Sequence, residues 1–207
     1  MASSPTLAEE NILRAQGFRV VAGIDEAGRG AWAGPVVAAV VVLPNDAKVC
    51  EELRGVNDSK KLSAGQRETQ RAKIEAFAWA WSIGCASNDE IDALGILNAT
   101  RLAMMRAVSS LKISPDALLI DAVKLPALHL HQRAFNFADS ISLSVAAASI
   151  VAKTERDAIM RNLDARYCFA QHKGYGTQKH RSALGEFGES CWHRRSFKPV
   201  RNVRRVE

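Results

Sequence analysis

The 207-residue sequence predicts an α/β domain built on a mixed sheet, followed by a mostly helical, basic C-terminal part. Three observations lead there. Short apolar runs rich in β-branched residues alternate with amphipathic stretches of helical period, the pattern of layered α/β architecture. The first two runs are joined by residues 26–34 alone, too few for a helical crossover, so this pair is expected to be antiparallel. The third observation is charge: residues 171–207 hold nine Lys or Arg against three Asp or Glu, whereas residues 1–170 balance at 19 of each. That shift divides the chain into a body, 1–170, and a basic region, 171–207, expected to bind a polyanion.

The elements follow in order. A first helix is predicted with Thr6 as N-cap, Glu9 closing a capping box and Gly17 just past its end. "FRVVAGID" (18–25) is the first strand and "PVVAAVVVLP" (35–44) the second; the near-continuous apolar run of the second suits a strand buried on both faces. Residues 55–63 form a polar loop ending in Ser63, which with Gln66 caps a helix running to about Phe77. Residues 78–86 are a third strand; Asn88 and Asn98 introduce a short and a longer helix, the latter ending near Leu111. "DALLID" (116–121) is a short apolar strand ending in an acid. Residues 142–167, alanine-rich and amphipathic, form the strongest helix, and residues 177–188 the last, capped by Thr177.

Composition narrows the class. Hydrophobic residues make up 47% of the chain, yet no apolar run reaches the length of roughly 18 residues that spans a bilayer. The N-terminus lacks the basic start and apolar centre of a secretory signal, so a cytoplasmic protein is expected, with monomer as the default state. Cys50, Cys85, Cys168 and Cys191 are far apart and form no CxxC pair, which argues against a zinc cluster or redox motif. His129 and His131 alternate without an evident third ligand, and Ser149 and Lys153 stand four apart rather than at the spacing of SxxK.

The carboxylates carry the chemistry. Two apolar strands end in Asp25 and Asp121, and neighbouring strands would bring both to one sheet edge, where open α/β folds form their sites. Glu26 follows Asp25, and Asp139, just before the long helix, is placed where it could reach the same edge. Two carboxylates about 4 Å apart repel by about 4 kcal/mol at an effective dielectric near 20, so they either take up protons or share a cation. One strand-ending Asp usually caps a turn. A pair beside a glycine loop, with a second such Asp, points instead to a hard ion, magnesium or manganese. Two such ions can activate an attacking water and stabilise the leaving oxygen of a phosphodiester.

The loops around these acids suit a nucleic acid. Gly28-Arg29-Gly30 can turn backbone N–H groups toward an anion, although it is neither a Walker loop nor GxGxxG. Asn57, Ser59, Lys60 and Lys61 offer phosphate-contacting chemistry in one loop. Tyr175, between two glycines, can stack on a base or sugar. The stretch "WHRRSFKPVRNVRR" interleaves Trp192 and Phe197 with arginines, as a nucleic-acid-binding surface would.

Taken in order, "GIDEAGRGAWAGPVVAAVVVLP", "NDSKKLS", "LLIDAVKLP", "AAASIVAKTERD", "GYGTQKH" and "HRRSFKPV" resemble the motifs of the type 2 ribonucleases H, most closely bacterial ribonuclease HII, from about Arg19 to Val200. The resemblance implies a ribonuclease H-like fold, with a five-stranded mixed sheet flanked by helices and a helical C-terminal extension. It implies cleavage of RNA in RNA–DNA hybrids and incision 5′ of ribonucleotides embedded in duplex DNA, using two magnesium or manganese ions. Asp25, Glu26, Asp121 and Asp139 match the four catalytic, metal-binding acids. Gly28, Arg29 and Gly30 match the loop that reads the 2′-hydroxyl, Tyr175 the tyrosine on the neighbouring deoxyribose, and Lys60 and Lys61 a phosphate-contacting loop. Two positions depart. Ala122 stands where glycine commonly follows the third acid, which should crowd the metal edge. Phe137-Ala138 replaces the frequent Lys-Gly before Asp139, removing a cation and a hinge.

Overall fold

Strands β1 (Val21–Ala27), β2 (Val36–Val42), β3 (Ala80–Ala86), β4 (Ala117–Asp121) and β5 (His131–Phe135) form one sheet in the order β3-β2-β1-β4-β5. The computed structural model describes residues 4–46 and 48–203. β2 pairs antiparallel with β1 and with β3, while β4 lies parallel to both β1 and β5. The short 28–35 connection forces the antiparallel step, and the sheet is mixed, as predicted. All seven residues of β2 are buried, which is what its unbroken apolar run requires.

The helices are α1 (Ala8–Ala15), α2 (Lys48–Glu52), α3 (Ala64–Phe77), α4 (Asn88–Leu94), α5 (Ile96–Ser109), α6 (Leu143–Arg161), α7 (Phe169–His172), α8 (Gln178–Phe187) and α9 (Lys198–Arg201). α5 covers one sheet face through Ala99, Ala103, Met104 and Ala107, which pack on Val36, Ala38, Val40 and Val42. α6 covers the other, with Ala146, Ala147 and Ile150 against Ala39 and Val41. The two-residue period of β2 is thus split between the layers. α6 sits so close to β1 that a Cβ on Gly23 would overlap the backbone of Ser144 and Val145.

Several predicted boundaries move, each for a local reason. β1 starts after Val20, because the Arg19 and Val20 N–H groups donate to the Asp116 carboxylate, and it runs on to include Glu26 and Ala27. α1 is capped at Leu7 rather than Thr6, whose backbone bridges Ile141 and Leu143 instead; Glu9 pairs with Arg133 at 2.8 Å rather than closing a capping box. α3 keeps the Ser63–Gln66 capping box and the Phe77 end. Ser87, not Asn88, caps α4, and Gly95 rather than Asn98 precedes α5. α6 ends at Arg161, short of 167, because Asp164 caps a separate 3₁₀ turn over Ala165–Tyr167. α8 is capped by Thr177 as expected. The cysteines are free; Cys50 and Cys191 are exposed, and the other two half-buried.

Candidate active site

The C-terminal ends of β1 and β4 build the site. Their register sets Ile24 beside Ile120, so Asp25 and Asp121 follow as neighbours. Val21, Ala117 and Leu119 pack with Val145 of α6, whereas Ile24, Leu118 and Ile120 pack on the α5 side. By the strand period, Asp25 and Asp121 both face α6 and Glu26 faces the opposite way. Asp139 enters from a 3₁₀ turn over Ala138–Ser140 that leads into α6. Its neighbour Ala138 is fully buried, and the Ala138 N–H donates to Asp121 Oδ1 at 3.0 Å. All four sequence-predicted acids therefore meet at one edge.

Each carboxylate is held by its own partner. Asp25 Oδ1 accepts from the Glu26 N–H at 2.7 Å, Glu26 Oε1 lies 3.2 Å from Arg29, and Asp139 Oδ2 lies 3.9 Å from Lys60. Burial, then the charges of Glu26 and Asp121, holds the Asp25 carboxyl well above the ordinary carboxylate range. Burial raises Glu26 as well, against the lowering pull of Arg29. Asp139 is pushed up to about 6 by burial and by Asp58, a neighbour within the 57–61 loop that the sequence did not single out. The cation missing from the sequence beside Asp139 is thus supplied by Lys60. Lys60 is an exposed residue, and its partial desolvation is outweighed by Asp58, Asp139, Asp25 and Asp121, which raise its pKa.

The set fits a hard divalent cation by chemistry, since every donor is a carboxylate oxygen. Glu26 Oε2 is also buried without a hydrogen-bond partner, an acceptor in want of a positive charge. Among the described residues no three His, Cys, Asp or Glu side chains stand close enough to share one ion. They lie instead against Arg29, Lys60 and backbone N–H groups, and these are the contacts an ion would have to replace.

Next to the acids, Asp25, Glu26, Gly28, Arg29, Gly30 and Tyr175 line a cavity of about 230 Å³, together with Ser59, Lys60, Ser149 and Lys153. A neighbouring cavity of about 330 Å³ holds Asp121 and Asp139, with Lys60 shared between the two. Asn57 and Lys61 line neither. Asn57 accepts from the Asp58 N–H, and Lys61 donates to Ser140. Ser59 is buried and accepts a hydrogen bond from Ser149 at 2.8 Å, tying its loop to α6.

Two arginines under the glycine loop escape a sequence reading. Arg156 of α6 donates to the carbonyls of Pro35, Lys173 and Ala33, and Arg194 to those of Gly34, Arg29 and Pro35. Both are fully buried, and burial with the nearby Arg156 charge lowers Arg194 to about 9. Gly28 has φ +97°, and a Cβ there would collide with the Arg156 guanidinium, so only glycine fits. Tyr175 is held over Arg156, at 5.4 Å from its ring centroid, and near Lys153. Arg194 and His193 belong to the stretch expected to face nucleic acid; they are buried clamps instead.

Residues 22–200 match the family model described as ribonuclease HII. The chain belongs to the ribonuclease HII family. It is 52% identical over 200 residues to ribonuclease HII of Chloroflexus aurantiacus, covering 95% of this chain and 94% of that one. It is 50% identical to the Roseiflexus castenholzii protein, covering 96% and 90%. Among solved structures it resembles ribonuclease H2 of Pyrococcus horikoshii, with TM-score 0.74 and 29% identity over 89% of this chain and 97% of that one. Bst ribonuclease HIII, solved with Mn²⁺, shares the fold at TM-score 0.66 and 18% identity, over 88% and 68%. Ribonuclease HII membership makes the chain a hydrolase with ribonuclease H activity, acting on RNA paired with DNA. Among the described residues no helix is long and apolar enough to cross a membrane.

Proposed function

We propose that this ribonuclease HII also incises duplex DNA on the 5′ side of an embedded ribonucleotide, leaving a 5′-phosphate on the ribonucleotide and a 3′-hydroxyl upstream. This would serve ribonucleotide removal during replication and repair. The observation that supports it most directly is the shared cavity, in which Asp25 and Glu26 adjoin Gly28-Arg29-Gly30 and Tyr175.

Asp25, Glu26, Asp121 and Asp139 would hold two divalent ions, magnesium or manganese. These ions supply activation of the attacking water and charge stabilisation at the leaving oxygen. The chain's own groups do the rest. The N–H groups of residues 28–30 meet the sugar-phosphate, and the 2′-hydroxyl is the difference they can read. Buried Arg156 and Arg194, whose hydrogen bonds go to backbone carbonyls, place positive charge beneath that loop and tie it down. Tyr175 packs on the adjoining deoxyribose, and Lys60 neutralises phosphate between the two cavities. Residues 171–207, which carry Tyr175 and Arg194, act as the substrate-binding part beside the 1–170 catalytic body.

A DNA duplex carrying one ribonucleotide, incubated with magnesium, manganese or chelator beside an all-DNA duplex, tests this reading. Metal-dependent nicking 5′ of the ribonucleotide alone is expected; equal cleavage of both duplexes would refute the role given to residues 28–30. Asp25→Asn should lower the rate on the order of a thousandfold or more while substrate binding persists. Full activity of that variant would overturn the assignment.

A further inference from the structure

The cavity beyond the acids contains a group that the reaction described so far does not use. Phe137 is 75% exposed, although burial is the ordinary fate of a phenylalanine ring. Its backbone is left-handed, at φ 60° and ψ 31°, a conformation that costs a bulky residue and persists only where its surroundings impose it. They do so here. Ala138 is buried and donates to Asp121, and Phe137 O accepts from the Ser140 N–H at 3.0 Å. Hydrogen bonds and packing on the C-terminal side thus hold the ring outward, two residues from Asp139 and on the wall of the cavity shared by Asp121, Asp139 and Lys60.

Polarity says what meets it. Gly28–Gly30 and Tyr175 line the cavity of Asp25 and Glu26, and Phe137 lines the neighbouring cavity of Asp121 and Asp139. With the 2′-hydroxyl read by the glycine loop and the bond 5′ of it over the acids, the strand continues onto Phe137. We propose that Phe137 packs against the sugar of the nucleotide immediately 5′ of the cut and selects deoxyribose there. This rests on the orientation given under Proposed function. A ring face is a good partner for the apolar edge of a deoxyribose, whereas a ribose hydroxyl pressed on it loses water without gaining a partner, a penalty worth about tenfold. Phe137 is thus a specificity residue, and its consequence is a preference for a ribonucleotide preceded by DNA over one preceded by RNA.

The test compares kcat/KM for cutting one phosphodiester in two duplexes that differ only in the upstream sugar, deoxyribose or ribose. The parent protein is expected to favour deoxyribose by about tenfold. Phe137→Gly removes the ring and relieves the left-handed backbone, so it should melt no lower than the parent, yet bring the two duplexes within about twofold. Phe137→Tyr, which keeps the ring, should restore the preference. Absence of a preference in the parent would overturn the inference, as would its survival in Phe137→Gly or an equal loss on both duplexes. A parent that nicks neither duplex would overturn the functional reading itself, a result distinct from nicking without discrimination.

Discussion

Ala122 shows how a single backbone angle can matter more than a side chain. The residue lies at φ 56°, exposed, directly after Asp121. That left-handed angle disfavours any Cβ, which gives glycine at this position a physical reason beside its place in the cavity of Asp121 and Asp139. Ala122→Gly should stabilise the fold by roughly 0.5–1 kcal/mol, after allowance for the extra freedom glycine gives the unfolded chain. A melting curve checks this, and a lower Tm would contradict it. At this scale the acids were legible in the sequence, because an apolar run that stops at Asp25 or Asp121 is a local pattern. Arg156 and Arg194 were not. Both sat inside recognised motifs, but their partners are backbone carbonyls up to 165 residues away, and no residue-type pattern records a carbonyl.

Among elements, the decisive joint is between α1 and α6. Glu10 is fully buried, and its Oε1 accepts from Ser142 Oγ at 2.6 Å, Ser144 N at 2.9 Å and Ser144 Oγ at 2.6 Å. A carboxylate on the first N–H groups of a long helix satisfies donors that would otherwise be orphaned and complements the helix dipole. The joint fixes where α6 starts, and therefore where Asp139, just before it, stands. Glu10→Ala should cost about 2–3 kcal/mol by leaving those buried donors unpaired, and chemical denaturation will measure it. A loss under 1 kcal/mol would show that water takes over the role. Sequence periodicity found α6 and its alanine face but not its length, because Asp164 starts a competing turn that helical period cannot register. It passed over Glu10 because the acid lies on a helix whose amphipathic pattern explains itself without it.

Over the whole molecule, charge had the least predictable outcome. The basic excess after residue 170 was legible, but part of it turns inward, where three histidines also pack. The His180 Nδ1–H donates to the Tyr175 carbonyl at 3.0 Å, leaving Nε2 to accept from His193 Nε2–H, also at 3.0 Å. His193 Nδ1 accepts from the Ser190 N–H, and His172 stacks on His180 at 4.6 Å. Burial lowers His180 and His193 to about 4. The unfolded chain therefore protonates first as pH falls. Stability from this pair is complete above about pH 6.5 and drains between about 6.5 and 4, by on the order of 3 kcal/mol for either ring alone. Asp139, raised to about 6, works with the opposite sign. Comparison with His193→Gln isolates the histidine share: the variant should lose less stability than the parent from pH 7 to 4.5. An identical pH dependence would disprove the mechanism.

The clamp on the glycine loop also has a consequence for how the enzyme is made. Arg29 and its neighbours leave the ribosome early, and the four acids are all present once Asp139 has been added. Arg194, which holds the carbonyls of Arg29, Gly34 and Pro35, arrives last. A nascent chain thus contains all four acids before it contains the second of the two arginines that clamp the loop. A chain ending just short of Arg194 keeps the Arg156 half of the clamp and lacks the other, so on the function proposed above fidelity toward the 2′-hydroxyl would be the final property that translation confers.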